Sequence, residues 1–180
     1  MNDNSLISLF DNLNNDITTL NSEQEILLDY LHQIKKIIYE YLREITNKIY
    51  PNSKLEIYGS SLYKLDIECS DLDLCISSKE KICFSLLIKE LKNNYYNIYE
   101  NIFPILSASV PVIKLIINPL KLNNEQINSI YNKIHYSEYY KNYIFDKKEI
   151  DKIRIDITIN SINHKQINFI QRRENYEQNL

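Results

Sequence analysis

The sequence predicts an α/β (α+β) domain with a mixed β-sheet and a long N-terminal helix. Three observations carry this. Leu27, Leu31, Ile34, Ile38, Tyr41, Leu42, Ile45 and Ile49 recur at helical spacing and give one apolar face. Ile153 to Ile159 alternates strictly between isoleucine and polar residues, the period of a half-buried strand. The order of segments is helix, strand, turn, strand, helix and then further strands.

In chain order, Leu6, Leu9, Phe10, Leu13, Ile17 and Leu20 predict a short amphipathic helix over 6–20. Ser22-Glu23-Gln24-Glu25 has the form of a capping box and predicts the start of a second helix, which Pro51 and Asn52 stop. Leu55 to Tyr58 is a short strand ending at Gly59, and Leu72 to Ile76 is another. A helix is expected over Lys79 to Asn93 with Ile82, Leu86, Leu87 and Leu91 inward. Strands follow at Tyr96–Phe103 and Val110–Ile117, a helix at Asn123–Ile134, and strands at Ile153–Ile159 and Ile167–Ile170. The Tyr-rich stretch 131–145 reads as a hairpin or a surface loop. The expected organisation is a helical extension over 1–21, one domain over 22–171 and a tail over 172–180.

With 180 residues, 44% of them hydrophobic, the chain has the size and composition of one globular domain. A net charge of -3 excludes general electrostatic attraction to polyanions, so contact with any polyanion must come from local patches such as Lys35-Lys36 or Arg172-Arg173. Cys69, Cys75 and Cys83 lack metal-ligand spacing and read as reduced thiols of an intracellular, cytoplasmic or nuclear protein. No apolar stretch has transmembrane length, so no membrane partner is expected. Asn, Ile, Lys and Tyr are abundant and Gly59 is the single glycine, which gives that glycine added weight.

Alternation places Asp71, Asp73 and Cys75 on one strand face and Leu72, Leu74 and Ile76 on the other. The two aspartates then stand about 7 Å apart at the backbone. Carboxylates that close repel unless a cation lies between them, and oxygen donors suit Mg²⁺ or Mn²⁺. In the 153–159 strand, Arg154, Asp156 and Thr158 share the face opposite the isoleucines. Aspartate is disfavoured in mid-strand, and a third metal ligand explains Asp156. Three carboxylates on one sheet face can hold two ions about 4 Å apart that clamp an in-line phosphoryl displacement. Gly59-Ser60-Ser61 follows a strand, where a glycine lets backbone approach a phosphate and the next N–H groups and hydroxyl can donate to it.

Plainer alternatives stand beside each reading. Asp71 and Asp73 could be a solvated strand end, Asp156 a salt-bridge partner of Arg154 or Lys152, and Gly59-Ser60 an ordinary turn. Ser70 could be a local backbone acceptor. Lys114 reads as a solvent-facing strand residue, His32, His135 and His164 as surface residues, the Tyr clusters as core, and Arg172-Arg173 as a solvated tail.

Gly59-Ser60, then Leu65, then Ser70-Asp71-Leu72-Asp73-Leu74, resembles the glycine-serine and SDxDL signature of the polymerase-β-like nucleotidyltransferases. The spacing is similar to the palm domain of noncanonical poly(A) polymerases and terminal uridylyltransferases. Val110-Pro111-Val112-Ile113-Lys114 resembles that branch's VPxIK strand, and Asp156 to Asn160 its DISFN strand. The resemblance runs from about Ser22 to Asn160. It implies the nucleotidyltransferase fold, with helices packed on one side of the sheet, and transfer of a nucleoside monophosphate from an NTP to an RNA 3′ end. Asp71, Asp73 and Asp156 would be catalytic and would bind Mg²⁺ or Mn²⁺; Gly59, Ser60 and Ser70 would bind the nucleotide. Departures are Lys64 in place of a second glycine, Glu68 in place of a proline, and a long segment between Lys114 and Asp156. The family also carries a helical domain after the palm. The 24 residues after Asp156 are too few to build it, so a helical domain or partner chain is expected from elsewhere. Two rivals are a standalone protein-modifying adenylyltransferase, which the compact size fits, and a truncated palm acting as a non-catalytic module.

Overall fold

The computed structural model describes residues 3–63, 67, 70–144 and 147–159. It opens with one continuous helix, α1, Asp3–Ile49. The break expected at Ser22 is absent. A capping hydroxyl needs a free backbone N–H, and inside a continuous helix each N–H already has a carbonyl partner. The Ser22 hydroxyl instead donates back to the Thr19 carbonyl at 2.8 Å. The C-terminal half of α1 is the anchored half: Leu27, Leu31, Ile34, Ile38, Leu42 and Ile45 are buried, while Leu13 and Ile17 upstream are exposed. The Tyr39 hydroxyl donates to the Leu55 carbonyl at 3.0 Å and ties the helix to the first strand. Lys35, read above as part of a basic patch, is only 5% exposed and cannot serve as one.

The sheet has five strands: β1 Ser53–Tyr58, β2 Leu72–Ser78, β3 Tyr99–Ile105, β4 Val112–Ile117 and β5 Ile153–Ile159. Their order is β1-β2-β5-β4-β3. The last strand enters at the centre, parallel to β2 and antiparallel to β4, and the outer pairs β1–β2 and β3–β4 are antiparallel. The sheet is therefore mixed. Leu72, Leu74 and Ile76 of β2, Ile113, Leu115 and Ile117 of β4, and Ile153, Ile155 and Ile157 of β5 join one buried cluster with side chains of the helices. The helices cover this face, and the fold is α+β.

Helix α2, Phe84–Asn94, starts five residues later than expected and buries Phe84, Leu87 and Leu91. Starting there, the inward stripe is 84/87/91, which leaves Leu86 exposed rather than inward. Helix α3, Glu125–Tyr136, is capped by Asn124, whose side chain accepts from the Ile127 N–H. The Tyr-rich stretch is helical rather than hairpin or loop. Tyr131 continues the buried Ile127, Ile130 and Ile134 face of α3, and Ser137 caps a further helix, α4, Glu138–Tyr143. A last turn, α5, spans Lys147–Ile150. His135 is not a bare surface residue: its ring lies 4.8 Å from that of Tyr140 and its Nε2 is 3.2 Å from Asp151. Among the described residues no helix is long and apolar enough to cross a membrane. The expected strand 167–170, His164 and Arg172-Arg173 lie outside the described residues.

Candidate active site

The face of the sheet away from the helices carries a row of five residues, one per strand. Paired residues on neighbouring strands share a face, so register alone builds the row. Tyr58 on β1 pairs with Asp73 on β2. Asp73 pairs with Asp156 on β5. Asp156 pairs with Lys114 on β4, and Lys114 with Phe103 on β3. Neighbouring strands lie about 4.8 Å apart, so Asp73 and Asp156 are immediate lateral neighbours. Burial of Leu72, Leu74, Ile155 and Ile157 on the opposite face fixes this parity, because a one-residue slip would bury the carboxylates.

Two cations answer the carboxylates. The Lys114 Nζ donates to the Asp156 Oδ2 at 2.6 Å. The Arg154 Nε donates to the Asp71 Oδ1 at 3.0 Å, while its Nη1 donates to Glu149. The pairs suggested by sequence, Asp156 with Arg154 or Lys152, do not form; Lys152 lies near Glu149 instead. Lys114 is thus a member of the site rather than simply a solvent-facing residue. The hydrogen bond that Lys114 donates to Asp156 raises the lysine's pKa, burial works against this, and the charges of Asp156, Asp71 and Asp73 add to the rise. Burial works against the charge on Arg154, but hydrogen bonds to Glu149 and Asp71 outweigh it and raise its pKa. The hydrogen bond from Arg154 in turn lowers the pKa of Glu149. Burial raises the Tyr58 phenol, with the negative charges of Asp73 and Asp156 contributing.

Gly59 packs directly on Asp73. Its φ is +70°, and a Cβ there would lie 2.3 Å from the Asp73 Oδ2. The left-handed backbone favours glycine, and any Cβ there would push against the Asp73 carboxylate. Ser60 opens a short 3-10 helix, Ser60–Tyr63. The Ser61 hydroxyl donates to the Asp71 carbonyl at 3.3 Å. The Ser70 hydroxyl accepts from the Ile67 N–H at 2.8 Å, the local backbone role named as an alternative, and its own O–H can still donate. Lys64, Leu65, Glu68, Cys69 and Asn160 lie outside the described residues.

Among the described residues, no three His, Cys, Asp or Glu side chains stand close enough, as placed, to hold a metal ion. The donor set nonetheless fits a hard divalent cation. It offers carboxylate oxygens from two adjacent strands, and a positive group, the Lys114 ammonium, already stands on Asp156. Lys114, Tyr58 and Phe103 are the members of the row that sequence reading missed. Alternation in β4 does put Lys114 opposite Ile113 and Leu115, but its partner is set by a register invisible in one strand.

The profile of a protein family described as poly(A) RNA polymerase, mitochondrial-like, central palm domain matches residues 13–134. The match contains Gly59, Ser60, Ser70, Asp71, Asp73 and Lys114, and ends before Asp156. Similar solved structures include a cytoplasmic RNA terminal U-transferase (18% identity, TM-score 0.45, covering 72% of this chain and 29% of that one). The GLD-2/RNP-8 complex is similar over 77% of this chain and 47% of its own, with 20% identity and TM-score 0.48. The MgGTP-bound Cid1 poly(U) polymerase is similar over 80% and 38%, with 16% identity and TM-score 0.48. The chain spans less than half the length of each of these chains. No curated protein matches.

Proposed function

The chain belongs to the central palm-domain family of mitochondrial-like poly(A) RNA polymerases, and from this we propose that it transfers a nucleoside monophosphate from an NTP to the 3′-hydroxyl of an RNA without a template. The observation that carries the reading is the in-register pair Asp73 and Asp156 with Gly59 packed on Asp73. In the proposed step the 3′-oxygen attacks the α-phosphorus, the bond to the β-phosphate oxygen breaks, and pyrophosphate leaves.

Asp71, Asp73 and Asp156 are the residues that would hold Mg²⁺ or Mn²⁺. When bound, such ions stabilise charge on the attacking and leaving oxygens of an in-line displacement. The protein's own contribution is placement. The sheet fixes the backbones of Asp73 and Asp156 side by side, so in this reading their oxygens come to one point by side-chain rotation and release of Lys114, with no movement of the strands. The turn at Gly59 brings backbone against Asp73 with no side chain between, and in this reading the outer phosphates lie against it and the Ser60 hydroxyl. The remaining O–H of Ser70 donates to the nucleotide beside Asp71. A helical domain, in the same chain or from a partner, supplies the opposing wall for the base and the RNA. The compartment in this reading is intracellular.

The test is incubation of the chain with each labelled NTP, an RNA primer, a protein lysate and Mg²⁺ or Mn²⁺. Label in RNA is the expected result. Label in protein would point to the modifying adenylyltransferase, and label in neither to a non-catalytic palm.

A further inference from the structure

We propose that Lys114 is the internal counter-ion of the metal-free site: its ammonium holds Asp156 and is displaced when a divalent cation takes that carboxylate. The inference rests on the metal-binding reading above and adds a residue that sets the affinity. Asp73 and Asp156 are lateral neighbours on parallel strands. Two anions so placed repel, and the row supplies one cation at the adjoining position, 2.6 Å from Asp156. A divalent ion needs the same carboxylate oxygens, so metal and ammonium compete for them.

The geometry also says which cation yields. Arg154 is forked between Asp71 and Glu149, and leaving would break bonds to two carboxylates. Lys114 donates to one carboxylate oxygen. Its side chain is 45% exposed against 21% for Asp156. Its backbone is fixed in β4 between β3 and β5, while its flexible four-carbon stem lets the ammonium swing into water without unpacking the sheet. Lys114 is therefore a positioning residue. It keeps Asp156 oriented and cancels one of the two negative charges of the row until the ion arrives, and it lowers the apparent affinity for that ion.

The experiment is a Mn²⁺ titration of the whole 180-residue chain, followed by electron paramagnetic resonance, with the thermal midpoint of metal-free protein measured alongside. Lys114→Met removes the competing charge and keeps most of the stem. It should bind Mn²⁺ about three- to tenfold more tightly than wild type, the range expected when a partly exposed competing ion pair and a like charge are both removed. Its midpoint without metal should fall, and Mn²⁺ should restore it. Lys114→Arg keeps the charge and should bind no more tightly than wild type. Lys114→Gln, which can still hydrogen-bond Asp156, serves as a second neutral variant if the Met variant does not fold, and should also bind more tightly. If wild type binds Mn²⁺ and the neutral variants bind equally or more weakly, the counter-ion role is overturned while the metal site stands. If neither wild type nor the neutral variants bind Mn²⁺, both fall.

Discussion

Asp73 on β2 and Asp156 on β5 face each other in register on parallel strands, although 83 residues separate them in sequence. Nothing in the packing of the core calls for this pairing. The isoleucines and leucines opposite would be as well buried with serine or threonine at both positions. In the proposed reading, two like charges brought together by the fold serve the site at some cost in stability.

The first prediction follows from that cost. Asp73→Asn should lower NMP transfer by about a thousandfold or more, since it removes a carboxylate from the proposed two-metal set. Its metal-free thermal midpoint should be no lower than wild type, because repulsion with Asp156 is relieved. Asp71→Asn should also abolish transfer. It breaks a partly exposed pair with Arg154, so it should cost no more than about 1 kcal/mol. Transfer rates and thermal unfolding without metal check both, and wild-type activity in either variant would remove that residue from the site.

Gly59→Ala should damage activity more than stability. The left-handed backbone alone costs about 1–2 kcal/mol for an alanine. The new Cβ meets the Asp73 Oδ2, the end of a side chain that can rotate away, so the clash is relieved by displacing the carboxylate proposed to bind metal. A double-mutant cycle checks this: in an Asp73→Ala background, Gly59→Ala should cost less stability than in wild type. Equal costs in both backgrounds would contradict direct packing of Gly59 on Asp73.

The Tyr131 phenol is buried and donates to the Ile150 carbonyl at 3.1 Å. Burial, with smaller contributions from Asp151 and Tyr140, raises its pKa far above the ordinary value of about 10. The folded chain therefore keeps this proton after the unfolded chain has lost it. The associated stability is fully present below about pH 10 and declines as pH rises above it. Tyr131→Phe should cost about 1 kcal/mol at neutral pH. It should also reduce the alkaline decline by one proton's worth, about 1.4 kcal/mol per pH unit. Denaturant midpoints from pH 8 to 11 read both effects, and an unchanged slope would contradict the buried phenol.

The two halves of α1 should respond differently. Leu42→Ala removes a buried side chain and should cost about 2–5 kcal/mol. Ile17→Ala changes an exposed position on the same helix and should stay within about 0.5 kcal/mol. Chemical denaturation of both variants checks the contrast. Similar losses would mean that the N-terminal half is packed as well.

Much of this was readable from residue pattern. The strand Ile153–Ile159 was read to its ends, because strict alternation over seven residues permits no other period. The buried stripe of α1 was equally plain. Helix continuity across Ser22 was not, because a serine followed three residues later by glutamate looks the same at a cap and inside a helix until the backbone partners are known. Tyr131 and Tyr140 were obscured by a tyrosine-rich composition that blurs the helical period. The role of Lys114 was least legible. Its partner depends on β5 entering the sheet between β2 and β4, a long-range event that no local window records.

The central claim is that the carboxylate row of this palm domain transfers nucleotides to RNA. The most direct measurement is extension of a 5′-labelled RNA primer by the wild-type chain and by Asp73→Asn and Asp156→Asn variants, with each NTP and Mg²⁺ or Mn²⁺. A second primer ending in a 3′-deoxynucleotide serves as control. The account predicts a longer product with the hydroxyl-ended primer and wild-type chain, none with the deoxy-ended primer, and none with either variant. Extension by the variants at the wild-type rate, or no extension by folded wild-type chain that binds Mn²⁺ and NTP, even with a helical domain supplied, would contradict it.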